Sequence, residues 1–109
     1  MKGIVWGRFL THAVKQLEVI ENNYARAEIP IIKKILGHTQ NYIIFENGDR
    51  WDAVVANESQ RGRAANISYI ESTIPDEIIK TIIFPCTKAL PFTAIHSFDY
   101  EPPIQEKEE

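Results

Sequence analysis

The sequence predicts one α/β or α+β domain, a small sheet with a β-hairpin covered by a long N-terminal helix and a second helix. Three observations carry this. Apolar residues recur at helical spacing between Arg8 and Ala27; Asn47-Gly48 separates two β-rich runs; and Thr73-Ile74-Pro75-Asp76-Glu77 opens a second helical stripe. The 109 residues, 44% hydrophobic and 25% charged, suffice for one domain, placed over residues 1–100, and not for two.

In chain order, Leu10, Ala13, Val14, Leu17, Ile20 and Tyr24 form one apolar helix face, with Lys15, Glu18, Glu21 and Arg26 on the wet side. Pro30 stops that helix, and Ile31–Leu36 reads as a short second helical turn ending at Gly37 in a left-handed cap. Tyr42–Phe45 and Arg50–Ala56 pair as the hairpin, with Asn-Gly expected as a two-residue type I′ turn. Asn57–Ala65 is a polar loop, longer than the usual connection, and carries Arg61-Gly62-Arg63. Asn66–Ile70 is a short strand with Glu71 at its carboxyl end. A capping Thr73, Pro75 in the first turn and two acids predict a helix over Pro75–Phe84, buried through Ile78, Ile79, Ile82 and Ile83. Pro85 and Pro91 then bracket a loop, Phe92–Phe98 forms one more strand, and the acidic tail 101–109 is expected to be disordered.

Charge and cysteine content exclude several function classes. The net charge is -3, and the tail alone, with four Glu and one Lys, accounts for it, so residues 1–100 are neutral and no polycation for bulk DNA binding is present. One cysteine, Cys86, excludes an intramolecular disulfide and a Cys-based zinc site, and reads as a buried structural thiol. The histidines His12, His38 and His96 are scattered; His12 with Lys15 and Glu18 reads as a solvated helix face. No apolar run reaches the ~20 residues needed to span a bilayer, which predicts a soluble, cytoplasmic protein with no membrane role. Trp6, Tyr42, Phe45 and Trp51 could form an aromatic platform for single-stranded nucleic acid, with Arg50, Arg61 and Arg63 on phosphates, although hairpin aromatics are more often cross-strand core pairs.

The strand ending in Glu71, after a loop with two arginines, has the layout of a nucleotide-hydrolase core: a strand-end acid can hold magnesium and arginine can stabilise phosphate charge. A solvated strand-end glutamate is the commoner account of that pattern alone. Order and wording add to it. Phe45-Glu46-Asn47-Gly48-Asp49-Arg50-Trp51-Asp52-Ala53-Val54-Val55-Ala56, then Ser59-Gln60-Arg61-Gly62-Arg63-Ala64-Ala65-Asn66-Ile67-Ser68-Tyr69-Ile70-Glu71, then Asp76-Glu77-Ile78-Ile79-Lys80-Thr81-Ile82-Ile83-Phe84-Pro85 resembles the ATPase domain of tailed-phage terminase large subunits over roughly residues 8–85. The resemblance implies the central segment of a DNA-packaging motor, with Glu71 matching the magnesium-holding acid and Arg61 and Arg63 the arginine-bearing loop.

The departures shape the expected function. No Gly-x-x-x-x-Gly-Lys-Ser/Thr occurs, so the phosphate cradle and its lysine are absent from this sequence, and Ser72 stands where the family has its catalytic Glu. The nuclease domain of the family has no counterpart in these residues. The resemblance therefore implies a phage-derived chain that does not hydrolyse ATP alone and acts by binding, as a split motor component or as a repurposed copy engaging packaging or host-defence proteins. Arg61, Gly62, Arg63, Glu71 and Ser72 are then the expected contact surface. ATP and magnesium enter only if a partner chain completes the site. A sheet lacking the strand that carries the cradle exposes an edge, which predicts a homo-oligomer or an obligate protein partner. The alternatives are a motor ATPase segment completed in trans and a small nucleic-acid-binding protein, with DNA contacts at Arg50 and Trp51.

Overall fold

The computed structural model describes residues 1–60, 62–88 and 93–101. Strand β1 (Lys2–Gly7) leads into helix α1 (Leu10–Arg26), followed by β2 (Ile31–Leu36), β3 (Asn41–Phe45) and β4 (Arg50–Val55). After a 3-10 turn at Glu58–Gln60 come β5 (Ile67–Glu71), a helical segment and β6 (Ala94–Phe98). All six strands share one mixed sheet in the order β2-β3-β4-β1-β5-β6. The pairs β4-β1, β1-β5 and β5-β6 are parallel, and β2-β3-β4 is an antiparallel meander.

Two apolar layers bury the sheet, and strand alternation sorts residues between them. Val5, Ile43, Phe45, Trp51 and Ala53 face Ala13, Leu17 and Ile20 of α1. Ile4, Trp6, Val54 and Ile70 face Ile82, Ile83 and Cys86 of the second helical segment. Inside that second core, Trp6 Nε1 donates to Ser68 Oγ at 3.0 Å, Ser68 lies 2.7 Å from Thr87 Oγ1, and Thr87 donates to the Ile83 carbonyl, so the polar atoms are partnered where water is excluded. The result is a doubly wound α/β domain.

The structure corrects the sequence reading at five places. Strand β1 was not foreseen, yet it is central, flanked by β4 and β5. Ile31–Leu36 is the edge strand β2 rather than a helical turn: six residues cannot recover the cost of helix nucleation, whereas pairing with β3 satisfies their backbone. Gly37 lies in the β2-β3 turn, its amide donating to the Gln40 carbonyl, and is not left-handed; the left-handed glycines are Gly48 (φ 95°) and Gly62 (φ 89°). The β3-β4 turn is not type I′. The Gly48 amide donates to Phe45 O at 2.9 Å and the Phe45 amide to Asp49 O at 2.8 Å, with Gly48 alone at positive φ, which makes a type I turn followed by a glycine bulge. Finally, the second helix does not end at Phe84. Asp76–Ile78 (α2) passes through a π-helical turn, Ile79–Ile83, into Phe84–Lys88 (α3) without a break. Pro85 has no N–H to give and its ring crowds the carbonyl four residues back; the wider π turn just before it lets the helix continue.

The long helix, the hairpin strands, β5 and β6 stand where the sequence places them, within a few residues. The tail beyond Glu101, together with Pro91 and Phe92, lies outside the described residues. Among the described residues no helix is long and apolar enough to cross a membrane.

Candidate functional site at the carboxyl edge of the sheet

In the parallel half of the sheet, β1 feeds α1 and the β4 side, while β5 feeds the second helical segment and β6 on the other side. The chain therefore winds away in opposite directions from β1 and β5, and the crevice outside their carboxyl ends is where open α/β sheets place ligands. Gly7 closes β1 there. A Cβ at Gly7 would sit 2.6 Å from Phe9 O and 2.7 Å from Ala13 N, so only glycine lets α1 start this close to the strand.

Glu71 fills that crevice and is only 2% exposed. Its Oε1 accepts the Arg8 amide at 2.9 Å, Thr73 Oγ1 donates to Oε2 at 2.9 Å, and His12 Nδ1 lies 3.0 Å from both oxygens. A carboxylate only accepts, so Nδ1 carries the proton. Burial pushes the Glu71 carboxyl up, but the Arg8 amide, His12 and Thr73 together outweigh it and hold the group below its ordinary value. The His12 ring stacks on Tyr100 at 3.6 Å and meets Phe9 edge-on. His12 is thus bound across the sheet rather than a member of a solvated helix face. An open cleft of about 510 Å³ lies over this cluster, bordered also by Ser72 and Asp99.

The sequence-nominated residues do not gather in one place. Ser72 donates its hydroxyl to Asp99, and its amide donates to Phe98 O at 2.8 Å. Arg63 lies instead beside Asp52 of β4, its Nη1 3.6 Å from Oδ2, in a different cleft. Arg50 joins the same carboxylate through Nε at 2.8 Å and Nη2 at 3.1 Å, so the structure brings Arg50 and Arg63, which the sequence offered with Arg61 as phosphate contacts, together on an acid it did not single out. Gly62 is exposed at the loop, and Arg61 lies outside the described residues. Trp51 is buried, with Nε1 donating to Tyr24 Oη at 2.9 Å; Trp6 and Phe45 are buried in the core as well, and the Tyr42 ring is covered by Arg50 at 4.0 Å, so the four do not form one open stacking platform. Tyr24 in turn donates to Asp49 Oδ2 at 2.6 Å, and burial first and Asp49 second push its hydroxyl up to about 12.

Sequence reasoning missed Arg8, His12 and Asp52. The available signal was the run Ile4-Val5-Trp6 between Gly3 and Gly7, a strand whose next residue must lie at the sheet's carboxyl edge. Among the described residues no three His, Cys, Asp or Glu side chains are grouped to hold a metal ion. Both Glu71 oxygens already accept from protein donors, so in this arrangement the carboxylate anchors the start of α1 to the end of β5. No family model, curated protein or solved structure matches the chain.

Proposed function

We propose that this chain is a terminase-ATPase-like core that works by binding another polypeptide and not by turning over nucleotide. The observation that carries the reading is the state of Glu71: the acid that the resemblance casts as magnesium holder is buried and engaged by Arg8, His12 and Thr73. With no phosphate cradle in the sequence, positioning and charge neutralisation for phosphoryl transfer both lack their usual groups.

The partner would add a strand at β6, the parallel edge nearest Glu71. Ala94 N donates to Asn66 O and Phe98 O accepts from Ser72 N, so alternate residues of β6 bond β5 while the backbone of Ile95 and Ser97 points outward. A strand running parallel to β6 would deliver its following loop to the same edge of the sheet as Glu71. The partner is a second copy or a chain carrying the missing cradle.

Light scattering with and without Ser97→Pro tests the first form, since proline removes an outward donor and leaves the β5 ladder intact. A dimer that becomes monomeric on Ser97→Pro supports pairing between copies. A parent monomer that gains no mass with a cradle-bearing partner overturns the reading. So does heat of magnesium-ATP binding by the isolated chain that is lost on Glu71→Ala.

A further inference from the structure

The second helical segment covers the sheet face turned away from α1 over β1, β5 and the Val54 end of β4. On the β2-β3-β4 side, one cross-strand row reads Lys33, Ile44, Arg50, Lys2, because Lys33 pairs with Ile44, Ile44 with Arg50, and Arg50 with Lys2. At ~4.8 Å between strands the row spans about 14 Å. Arg50 lies 4.0 Å over the Tyr42 ring and Lys33 5.9 Å from it, so this tyrosine holds the cations on one face.

Next to the row, Arg50 and Arg63 converge on Asp52 at the wall of a polar cleft of about 260 Å³, which Gln60 and Asn57 also border. Asp52 and the neighbouring Asn41 are 6% and 7% exposed, whereas the Arg50 and Arg63 side chains are 40% and 35% exposed. The acid is thus the buried base of the site and the guanidiniums its open rim. Among the described residues, every ion pair on this face ends on Asp52, and Arg50 Nη1 and Arg63 Nη2 have no hydrogen-bond partner. One carboxylate against two guanidiniums leaves positive charge uncompensated, and Lys33 and Lys2 add to it. Gln60 Oε1 fixes Arg63 by accepting from Nε, so both forks are held before any ligand arrives.

We infer that this cleft is an oxyanion site whose ligand chemistry is a phosphate group. Two pre-positioned guanidinium forks with unengaged N–H groups match a tetrahedral oxyanion, and the lysine row continues the positive field away from the cleft. The inference stands apart from the partner-strand reading: a monomer that binds phosphate here supports the one and weighs against the other.

The test is an NMR titration of the whole chain with inorganic phosphate at constant ionic strength, following the Nε–H signals of Arg50 and Arg63. Saturable shifts in both are expected, with a dissociation constant of about millimolar or tighter. Arg63→Ala leaves the Arg50-Asp52 pair in place and should weaken binding roughly tenfold at an unchanged melting temperature. Lys15→Ala, on α1, should have no effect. A short oligodeoxythymidylate then distinguishes the source of the phosphate. Tighter binding that falls with Lys2→Ala plus Lys33→Ala identifies a phosphodiester chain; equal affinity and indifference to the lysines identify a free phosphate. No saturable shift up to about 50 mM phosphate, or equal affinity in Arg63→Ala, overturns the inference.

Discussion

Glu71 and Asp52 are both nearly buried acids next to the central strand β1, and their surroundings lead to opposite behaviour. Glu71 is bound by a backbone amide, a hydroxyl and an imidazole, all drawn from the junctions of β1 with α1 and of β5 with the following turn. Asp52 is bound by two arginines whose outer N–H groups still face solvent. A carboxylate closed by short, local donors ties elements together, whereas one closed by long cationic side chains presents those cations outward. The same residue class is a strut at one site and a base plate at the other.

The contrast breaks most readily at Glu71. Glu71→Ala strips the Arg8 amide, Thr73 and His12 of their common acceptor and is expected to lower unfolding free energy by about 3 kcal/mol in a denaturant titration. The acid limb of stability sharpens the same point. The folded value for Glu71 lies below its unfolded one near 4.5, so its contribution is present above that pH and is lost as pH falls through the depressed folded value. Glu71→Gln should flatten that limb. Asp52→Ala frees two arginines that water can reach and should cost about 1 kcal/mol; a loss as large as that of Glu71→Ala would erase the distinction. Smallest of all, Arg63→Ala removes a long, partly exposed pair and should change stability by less than about 0.5 kcal/mol, read from the shift in thermal midpoint.

What was legible in the sequence is what neighbouring residues decide. The 3.6-residue period of α1, the Asn-Gly turn between two β-rich runs, and the apolar strand ending in Glu71 are all local signals, and each appears in the fold. What was not legible depends on partners far along the chain. Strand β1 has only Ile4, Val5 and Trp6 between two glycines, too short to show a period, and it is defined by residues 50–55 and 67–70. Ile31–Leu36 carries apolar pairs that suit a helix or a strand, and β3 decides between them. His12 seemed solvated because its acceptor is 59 residues away. Pro85 is a sound stop signal for an α-helix, but the π turn before it, whose Ile82 and Ile83 pack on the sheet, carries the helix past it. Asp52 gave no sign of its two arginines, since one comes from its own strand and the other from the loop between β4 and β5.

The placement of β1 also has a consequence for biogenesis. The spine of the sheet leaves the ribosome ahead of both strands that flank it, and neither exists until much of the polypeptide has followed. The meander of β2, β3 and β4 can close early, whereas the spine must wait for residues near 70, so the rate at which this domain matures is governed by long-range closure. Until then its two unpaired sides are open strand edges, the kind of surface on which nascent chains pair wrongly.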